Sequence, residues 1–340
     1  MMFKSGRRTA FENRTSHPFA VRIASALFVG SLSLGLVLAS CSPAQQGSVG
    51  GELSGTITIS GAFALYPMVQ GWGEEFQRLH PAVTFDISAG GAGKGMTDVL
   101  GGAVDLGMVS RSIRQEETDQ GAFWVAVTRD AVVPTMNAQN PYLARIQAQG
   151  MSASTFGEIW TLKSTTWGEV LGDPNLVEEI HVYTRSDAAG AAETWAIYIG
   201  GLAQEDLQGI AVNGDPGLAE AVVQDPLGVG YNNLNYAYDA DTRGPVAGLA
   251  IIPIDLNDDG QLSADEAFYA TKSDLMAAIA DGSYPSPPAR GLNLVSKDKP
   301  TGLTLEFLRW VLTDGQAFTE ETGFIPLTEA QTQAELEKLG

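Results

Sequence analysis

A single stretch, residues 55–113, constrains the fold most, because strand-like and helix-like segments alternate along it in a βαβαβ order. Residues 56–60, 83–87 and 104–109 have the β-branched and apolar character of strands. Between them lie two segments with apolar residues at helical spacing, and Pro67 falls in the first turn of the first segment, where its missing N–H removes no hydrogen bond. Strands joined by crossover helices run parallel, so the sequence predicts an α/β fold.

Glycine-containing turns precede both predicted helices of this stretch. Gly61 stands before the first helix, and a glycine-rich run, residues 90–95, stands before the second. The first turn of a helix has N–H groups without intrahelical acceptors and a partial positive charge, which together favour an anion. The sequence therefore predicts an anion site where the two helices begin. The candidate ligand residues at these turns are Ala62, Phe63, Ala64, Gly91, Ala92, Gly93 and Lys94.

The stretch resembles the first lobe of the phosphate-binding proteins of bacterial ABC transporters. That family typically has Gly-Ser-Thr-Thr at a helix start, a Gly-Gly-Ser-Gly turn, and Asp-Ile-Gly-Met-x-Ser-Arg at a strand end. The corresponding residues here are 61–64, 90–93 and 105–111, in the same order and at similar spacing. The resemblance adds Ser110 and Arg111 to the candidate ligand residues.

The resemblance continues over nearly all of the chain that follows the leader. Residues 166–172 match the family's Thr-Trp-x-x-Val-Leu-Gly, and residues 227–231 resemble its Gly-x-Ile-Gly-Tyr strand. Residues 185–191 correspond to its Arg-x-Asp-Gly-Ser-Gly-Thr motif, which implies a third helix start that faces the ligand. The ligand residues implied at this third turn are Arg185, Asp187, Ala189, Gly190 and Ala191.

The resemblance implies a two-lobed periplasmic-binding-protein fold of the Venus-flytrap type, in which each lobe is a mixed sheet flanked by helices. Lobe 1 would comprise residues 53–128 and 289–340, and lobe 2 residues 129–288, with a strand at 122–127 leading to the crossing near Thr128. A ligand between the lobes would stabilise the closed form. The implied partners are a small anion such as phosphate and an ABC permease, and we expect a monomer.

Hydroxyl side chains that the family uses in its phosphate site are absent from all three turns. Ala62 and Phe63 stand where Ser and Thr are usual, Ala92 replaces Ser, and Ala189 and Ala191 replace Ser and Thr. A hydrogen bond to a charged group contributes about 1.5–3 kcal/mol, so the loss of several such bonds would remove several decades of phosphate affinity. Backbone N–H groups and basic side chains would have to supply the remaining affinity.

Three functions therefore stay open. The first is a phosphate-binding transport lipoprotein that relies on backbone groups and basic side chains. The second is the same fold with a different organic or apolar ligand, because the alanines and Phe63 make the site drier. The third is a non-transport surface scaffold, stiffened by calcium, that has lost phosphate binding. We do not expect an enzyme, because His80 and His181 are the only histidines after the leader and no catalytic triad, HExxH or P-loop motif is present.

Residues 1–41 have the features of a lipoprotein signal peptide. Basic residues precede an apolar segment, 23–38, that is too short for a comfortable transmembrane helix. The segment ends in a lipobox-like Leu-Ala-Ser-Cys, and Cys41 is the only cysteine, which excludes an internal disulfide. The sequence predicts a lipid-modified Cys41, a flexible tether at 42–52 and an extracytoplasmic protein anchored to a membrane. A plain signal peptide with an incidental cysteine is the alternative.

The chain is strongly acidic. It has 20 basic and 40 acidic residues, and the part after residue 41 keeps 15 basic and 39 acidic residues, a formal charge of −24. This excess argues against nucleic acid as a partner and favours solubility. It also opposes free phosphate unless a local site overcomes the field.

Residues 255–266 match the EF-hand calcium-loop template at each required position. Oxygen ligands suit a hard cation such as Ca²⁺, and Gly260 stands where the template needs a sharp turn. A strand rather than a helix is predicted before the loop, so we expect a structural calcium ion that relieves the repulsion between carboxylates. The alternative is an acidic turn that only resembles the template. The predicted metal ligands are Asp255, Asn257, Asp259, Gln261, Ser263 and Glu266.

Overall fold

Helices and strands alternate along the chain. The structure is a computed structural model that describes residues 52–340. The strands are β1 (Gly55–Gly61), β2 (Val83–Ala89), β3 (Leu106–Val109), β4 (Ala122–Asn137), β5 (His181–Arg185), β6 (Ile210–Val212), β7 (Gly228–Asn233), β8 (Leu249–Ile251) and β9 (Ala289–Lys297). The α-helices are α1 (Tyr66–Leu79), α2 (Ala92–Leu100), α3 (Gln115–Asp119), α4 (Leu143–Gln149), α5 (Ala153–Trp160), α6 (Trp167–Leu171), α7 (Gly190–Tyr198), α8 (Gly214–Gln224), α9 (Leu234–Ala237), α10 (Lys272–Asp281), α11 (Gly302–Leu312) and α12 (Glu329–Leu339). Short 3-10 helices span Gln204–Asp206 and Asp314–Phe318.

Local sequence explains the first strand and helix. β1 buries Ile57 and Ile59, whereas Thr56 is exposed and Thr58 is half-buried, as expected for a strand with one face on the core. α1 has Pro67 in its first turn and packs one apolar face inward, including the fully buried Trp72. The indole N–H of Trp72 donates to the carbonyl of Gly315 at 2.8 Å, which satisfies the polar atom of a buried ring.

All strands of the described chain join in one mixed sheet. Its order is β2-β1-β3-β9-β4-β7-β5-β6, and β8 pairs with the end of β4. β1 is parallel to β2 and β3, whereas β9 is antiparallel to β3 and β4. The predicted α/β fold, with a mixed sheet flanked by helices, is therefore confirmed.

β4 joins the two halves of the sheet. It is one strand of 16 residues and continues well beyond the predicted segment, 122–127. The prediction stopped short because Thr128 and Asp130, which are buried and polar, interrupt the apolar pattern of the sequence. β4 pairs with β9 as far as Ala131 and with β7 from Val132 onward.

Two hydrophobic clusters lie within residues 52–340, which pack as a single compact unit. The first cluster draws on residues 57–127 and 292–339, and the second on residues 131–289 together with Ile325. We call the parts built around them lobe 1 and lobe 2. The residue boundaries given for the lobes stay a prediction, because β4 and β9 run from one cluster to the other without a break.

No helix within the described range is long and apolar enough to cross a membrane. The predicted signal peptide and the predicted lipidation site, Cys41, lie outside the described residues, as does all of the predicted tether except its last residue. Lipid modification and signal-peptide cleavage therefore stay predictions.

Candidate functional site

A small, partly open cavity lies where turns from both lobes meet, and in this conformation it is too narrow to hold a water molecule. The turns are those that lead into α1, α2 and α7. Ten of the fourteen predicted ligand residues line the cavity, together with two residues that the sequence did not single out. The lining residues are Ala62, Phe63, Ala64, Gly91, Ala92, Ser110, Arg185, Ala189, Gly190, Ala191, Asp215 and Asn233.

Glycines allow these turns to approach one another. Gly61 has a φ of +135°, and a Cβ there would lie 2.9 Å from the Cα of Gly95 in α2. Gly91 precedes α2 with a φ of +93°, and a Cβ there would lie 2.8 Å from Oδ2 of Asp187 in lobe 2. A side chain at Gly61 would separate β1 from α2, and one at Gly91 would separate the lobes, so this arrangement of the turns requires glycine at both positions.

Backbone N–H groups and one hydroxyl are the available hydrogen-bond donors around the cavity. The N–H groups of Ala92, Gly190 and Ala191, at the starts of α2 and α7, have no acceptor among the described residues. Ser110 is 2% exposed, and its hydroxyl also has no hydrogen-bond partner within residues 52–340. Its Oγ faces Gly190, where an added Cβ would overlap with it. Donors without acceptors make the cavity complementary to an oxyanion.

Arg185 is the one basic side chain that lines the cavity in the described chain, and its charge is balanced. Its Nε and Nη2 donate to Asp187 at 2.8 and 2.6 Å, and its Nη1 donates to Asp215 at 2.6 Å. Burial disfavours the charged guanidinium, but these two carboxylates raise the pKa of Arg185 above its usual value. Burial also disfavours the charged form of Asp187, but Arg185 holds the pKa of that carboxyl below its usual range. An anion would therefore meet one positive charge flanked by two negative ones.

Asp215 and Asn233 line the cavity but were missed by the sequence analysis. Asp215 lies in the first turn of α8, is 1% exposed, and accepts hydrogen bonds from the backbone and side-chain N–H groups of Asn233 at 3.2 and 2.7 Å. Asn233 ends β7, which is parallel to β5. Ligand-binding residues gather at the carboxyl ends of such strands, so the position of Asn233 at the carboxyl end of a buried strand was the signal that could have identified it.

Lys94 and Arg111, two predicted ligand residues, do not line the cavity. The Lys94 ammonium pairs with Asp98, one helical turn along α2. Arg111 is buried and donates two hydrogen bonds to Glu117, at 2.9 and 2.6 Å. Each cation is neutralised by a carboxylate of its own lobe, so neither directs its charge at the cavity. The other predicted ligand residues outside the lining are Gly93 and Asp187.

The predicted calcium loop, residues 255–266, lies between β8 and α10. Its carboxylates cap the backbone of the loop itself, since Asp255 accepts from the N–H of Gly260 at 2.8 Å and Glu266 from that of Leu256 at 2.7 Å. Gly260 has a φ of +73°, the conformation that the sharp turn requires. In the described part of the chain, no three His, Cys, Asp or Glu side chains are grouped closely enough to hold a metal ion. Calcium binding therefore stays a prediction that rests on the type and order of the donors.

Sequence comparison finds phosphate-binding proteins among the relatives of this chain. The sequence model of a family described as a PBP superfamily domain matches residues 46–315. The phosphate-binding protein PstS of Bacillus subtilis (strain 168) is 26% identical over 280 residues, which cover 82% of this chain and 83% of that protein. PstS of Methanocaldococcus jannaschii is 25% identical, with 84% of this chain and 88% of that protein covered. These relatives are named for binding rather than catalysis, in agreement with the prediction that the chain is not an enzyme.

Solved structures share the fold. The X-ray structure of a Clostridium perfringens protein with bound phosphate has a TM-score of 0.65 at 22% identity, and the match covers 81% of this chain and 100% of that one. An ABC-type phosphate transport receptor from Vibrio cholerae has a TM-score of 0.58 at 18% identity, covering 80% of this chain and 100% of the other. At these identities the likeness shows the fold alone, and it agrees with the predicted architecture.

Proposed function

The chain belongs to the PBP superfamily, and on that premise we propose that it is an extracytoplasmic solute-binding protein of an ABC transporter. The proposed ligand is phosphate or a related small anion, held in the cavity between the lobes. The observation that carries the proposal is the convergence of the starts of α2 and α7 and the Ser110 hydroxyl on one cavity. The relatives named for phosphate binding support the same class of ligand.

In this proposal the affinity comes from backbone groups rather than from an unpaired cation. A hydrogen bond to a charged group contributes about 1.5–3 kcal/mol, and a micromolar complex requires about 8 kcal/mol. The N–H groups of Ala92, Gly190 and Ala191 and the hydroxyl of Ser110 supply donors enough for a sum of that order. Because two carboxylates balance Arg185, we expect weaker binding than in a site with an uncompensated cation.

Thermal unfolding of the purified protein in millimolar phosphate, sulfate and methylphosphonate tests the ligand, because an anion that binds only the native state raises the midpoint. Phosphate should raise the midpoint of the wild type, and Ser110→Ala should weaken binding about tenfold, since it removes a hydrogen bond to a charged group. Ser112→Ala removes an exposed hydroxyl outside the cavity and should leave the affinity unchanged. A rise with another anion alone would favour a repurposed site, and no rise with any anion would favour the non-transport scaffold.

The proposed localisation is tested separately. We propose that residues 1–41 are removed as a signal peptide, that Cys41 carries lipid, and that the closed form docks on a membrane permease. Mass spectrometry of the mature N-terminus should find a lipid-modified cysteine, and Cys41→Ser should release the protein from the membrane fraction. A mature N-terminus without lipid would contradict this part of the proposal.

We also propose that the loop 255–266 binds Ca²⁺ in a structural role. Its donors are oxygen atoms, as Ca²⁺ prefers, and Asp255 and Glu266 are 4% and 3% exposed. Calorimetric titration of the chelator-treated protein should show calcium binding that Glu266→Gln abolishes. Asp258→Asn is the control, because Asp258 is exposed and asparagine tolerates its φ of +59°. Absence of a calcium signal in the wild type would refute this role.

A further inference from the structure

We propose that Phe63 occupies the cleft in place of a ligand, where its ring covers Arg185 and holds the lobes closed. The inference rests on the solute-binding function proposed above and concerns how readily an anion can enter the cavity. Phe63 belongs to the turn before α1, and it is the only aromatic residue among those described that line the cavity.

The ring of Phe63 lies on the guanidinium of Arg185. The Cζ of Arg185 is 5.4 Å from the ring centroid, which is within the range of a cation–π contact. The edge of the same guanidinium donates to Asp187 and Asp215. The two carboxylates thus contact the edge of the guanidinium, and the ring of Phe63 contacts one of its faces. A phosphate in the cavity cannot contact that face of Arg185 unless the ring moves.

Lobe 2 is shaped to receive this ring. Gly214 begins α8 with a φ of +74°, and a Cβ built on it would lie 3.0 Å from the Cζ atom of Phe63. Any side chain at that position would press on the ring. The hydroxyl of Tyr236 in α9 donates to the carbonyl of Phe63 at 3.3 Å. Both the ring and the backbone of Phe63 therefore contact lobe 2.

Three further contacts cross the cleft without any ligand, one of them between the Nε of Arg111 and Glu193 at 3.4 Å. The N–H of Gly93 donates to the carbonyl of Ala188 at 3.0 Å. The Nη2 of Arg114 donates to Glu193 at 2.6 Å. Together with the contacts of Phe63, they give the closed form its own stabilising interactions. A ligand shifts a conformational equilibrium only by its preference for one state, so we expect phosphate to change the shape of the wild type very little.

Removal of the Phe63 ring should open the cleft in the absence of ligand and should give phosphate easier access to the cavity. Phe63→Ala and Phe63→Thr uncover a face of Arg185, enlarge the narrow cavity, and delete a contact between the lobes. Both variants should therefore be more open without ligand. Phe63→Thr should also bind phosphate about tenfold more tightly than the wild type, because its hydroxyl can donate one added hydrogen bond to a charged group.

Small-angle X-ray scattering and calorimetric titration with millimolar phosphate test this inference on the same samples. The wild type should keep one radius of gyration with and without phosphate, whereas both Phe63 variants should be larger without phosphate and contract when it is added. Phe123→Ala is the matched control, because Phe123 is a half-buried ring of lobe 1 that does not line the cavity. It should scatter and bind as the wild type does.

Two results would overturn the inference: a wild type that contracts when phosphate is added, or Phe63 variants with the wild-type radius. If no form of the protein binds phosphate while the Phe63 variants are larger than the wild type, the proposed phosphate binding fails and the closing role of the ring is supported. The scattering and the calorimetry therefore distinguish failure of the inference from failure of the proposed function.

Discussion

Two buried arginines, Arg185 and Arg290, belong to one polar network that connects the cleft to the strands joining the lobes. They differ in how closely they approach the neighbouring carboxylates. In the cleft, the Arg185 side chain is 2% exposed and pairs with Asp187 and Asp215 at 2.6 Å each. Where β4 pairs with β9, Arg290 stands opposite Asp130. There the Nη2 of Arg290 lies 3.8 Å from Oδ2 of Asp130. The Arg185 cluster is held by close hydrogen bonds, whereas Arg290 and Asp130 are too far apart for a hydrogen bond.

Arg290 uses its donors to position the cleft instead. Its Nη1 donates to the carbonyl of Gly190 at 2.8 Å and to Oγ1 of Thr194 at 2.9 Å, and its Nη2 donates to Asn233. Neither carboxylate oxygen of Asp130 has a hydrogen-bond partner in the described chain. Burial raises the pKa of Asp130 to about 6, although the nearby Arg290 opposes the shift. The difference indicates that the geometry of the cleft, rather than charge pairing, fixes the position of Arg290.

The largest effect on the free energy of unfolding is expected in the hydrogen-bonded cluster of Arg185, Asp187 and Asp215. Arg185→Met would leave the buried carboxylates of Asp187 and Asp215 without their partner, and breaking a buried ion pair in this way costs about 3–5 kcal/mol. Urea denaturation should show a loss of that size. Arg78→Met removes an exposed pair, in which the Arg78 side chain is 67% exposed, and should change the free energy of unfolding far less, because solvent screens exposed ion pairs. Equal losses in the two variants would show that the buried Arg185 cluster contributes no more to stability than an exposed pair.

Replacement of Asp130, whose carboxylate has no hydrogen-bond partner in the described chain, should change the free energy of unfolding in the opposite direction. The native pKa of Asp130, about 6, lies above the ordinary value of 3.8, so the buried charge destabilises the protein above pH 6 and the penalty fades as pH falls toward 4. Asp130→Asn should therefore stabilise the protein at pH 8 by up to about 3 kcal/mol and have little effect near pH 4. Urea denaturation of both proteins across this range measures the difference. A difference that is independent of pH would contradict the account.

The smallest effect is expected from a change of shape at constant charge. Arg290→Lys keeps the positive charge, but one ammonium on a flexible stem cannot hold Gly190, Thr194 and Asn233 in the same arrangement. We expect a loss of about 1–2 kcal/mol in unfolding free energy and weaker anion binding by calorimetry. Arg309→Lys, at a side chain that is 41% exposed, is the control for the same substitution. Wild-type stability and affinity in Arg290→Lys would show that charge alone matters there.

Local patterns predicted the opening strands and helices and most of the cavity lining, because both depend on short-range spacing. The missed residues meet through long-range contacts: Asp215 bonds a residue 18 positions away, and Arg290 bonds one 57 positions away. Lys94 was assigned to the ligand although its partner, Asp98, lies four residues along the same helix, a pairing that the sequence already contained. The end of β4 was predicted too early because Thr128 and Asp130 are polar, although both are buried inside the strand.

Amide NMR during a phosphate titration tests the central claim most directly, namely that the starts of α2 and α7 donate hydrogen bonds to an anion in the cavity. The account predicts that the amide signals of Ala92, Gly190 and Ala191 move first and furthest, while that of Gly260, which does not line the cavity, stays in place. Shifts that spare those three amides, or no shifts at all in millimolar phosphate, sulfate and methylphosphonate, would contradict it.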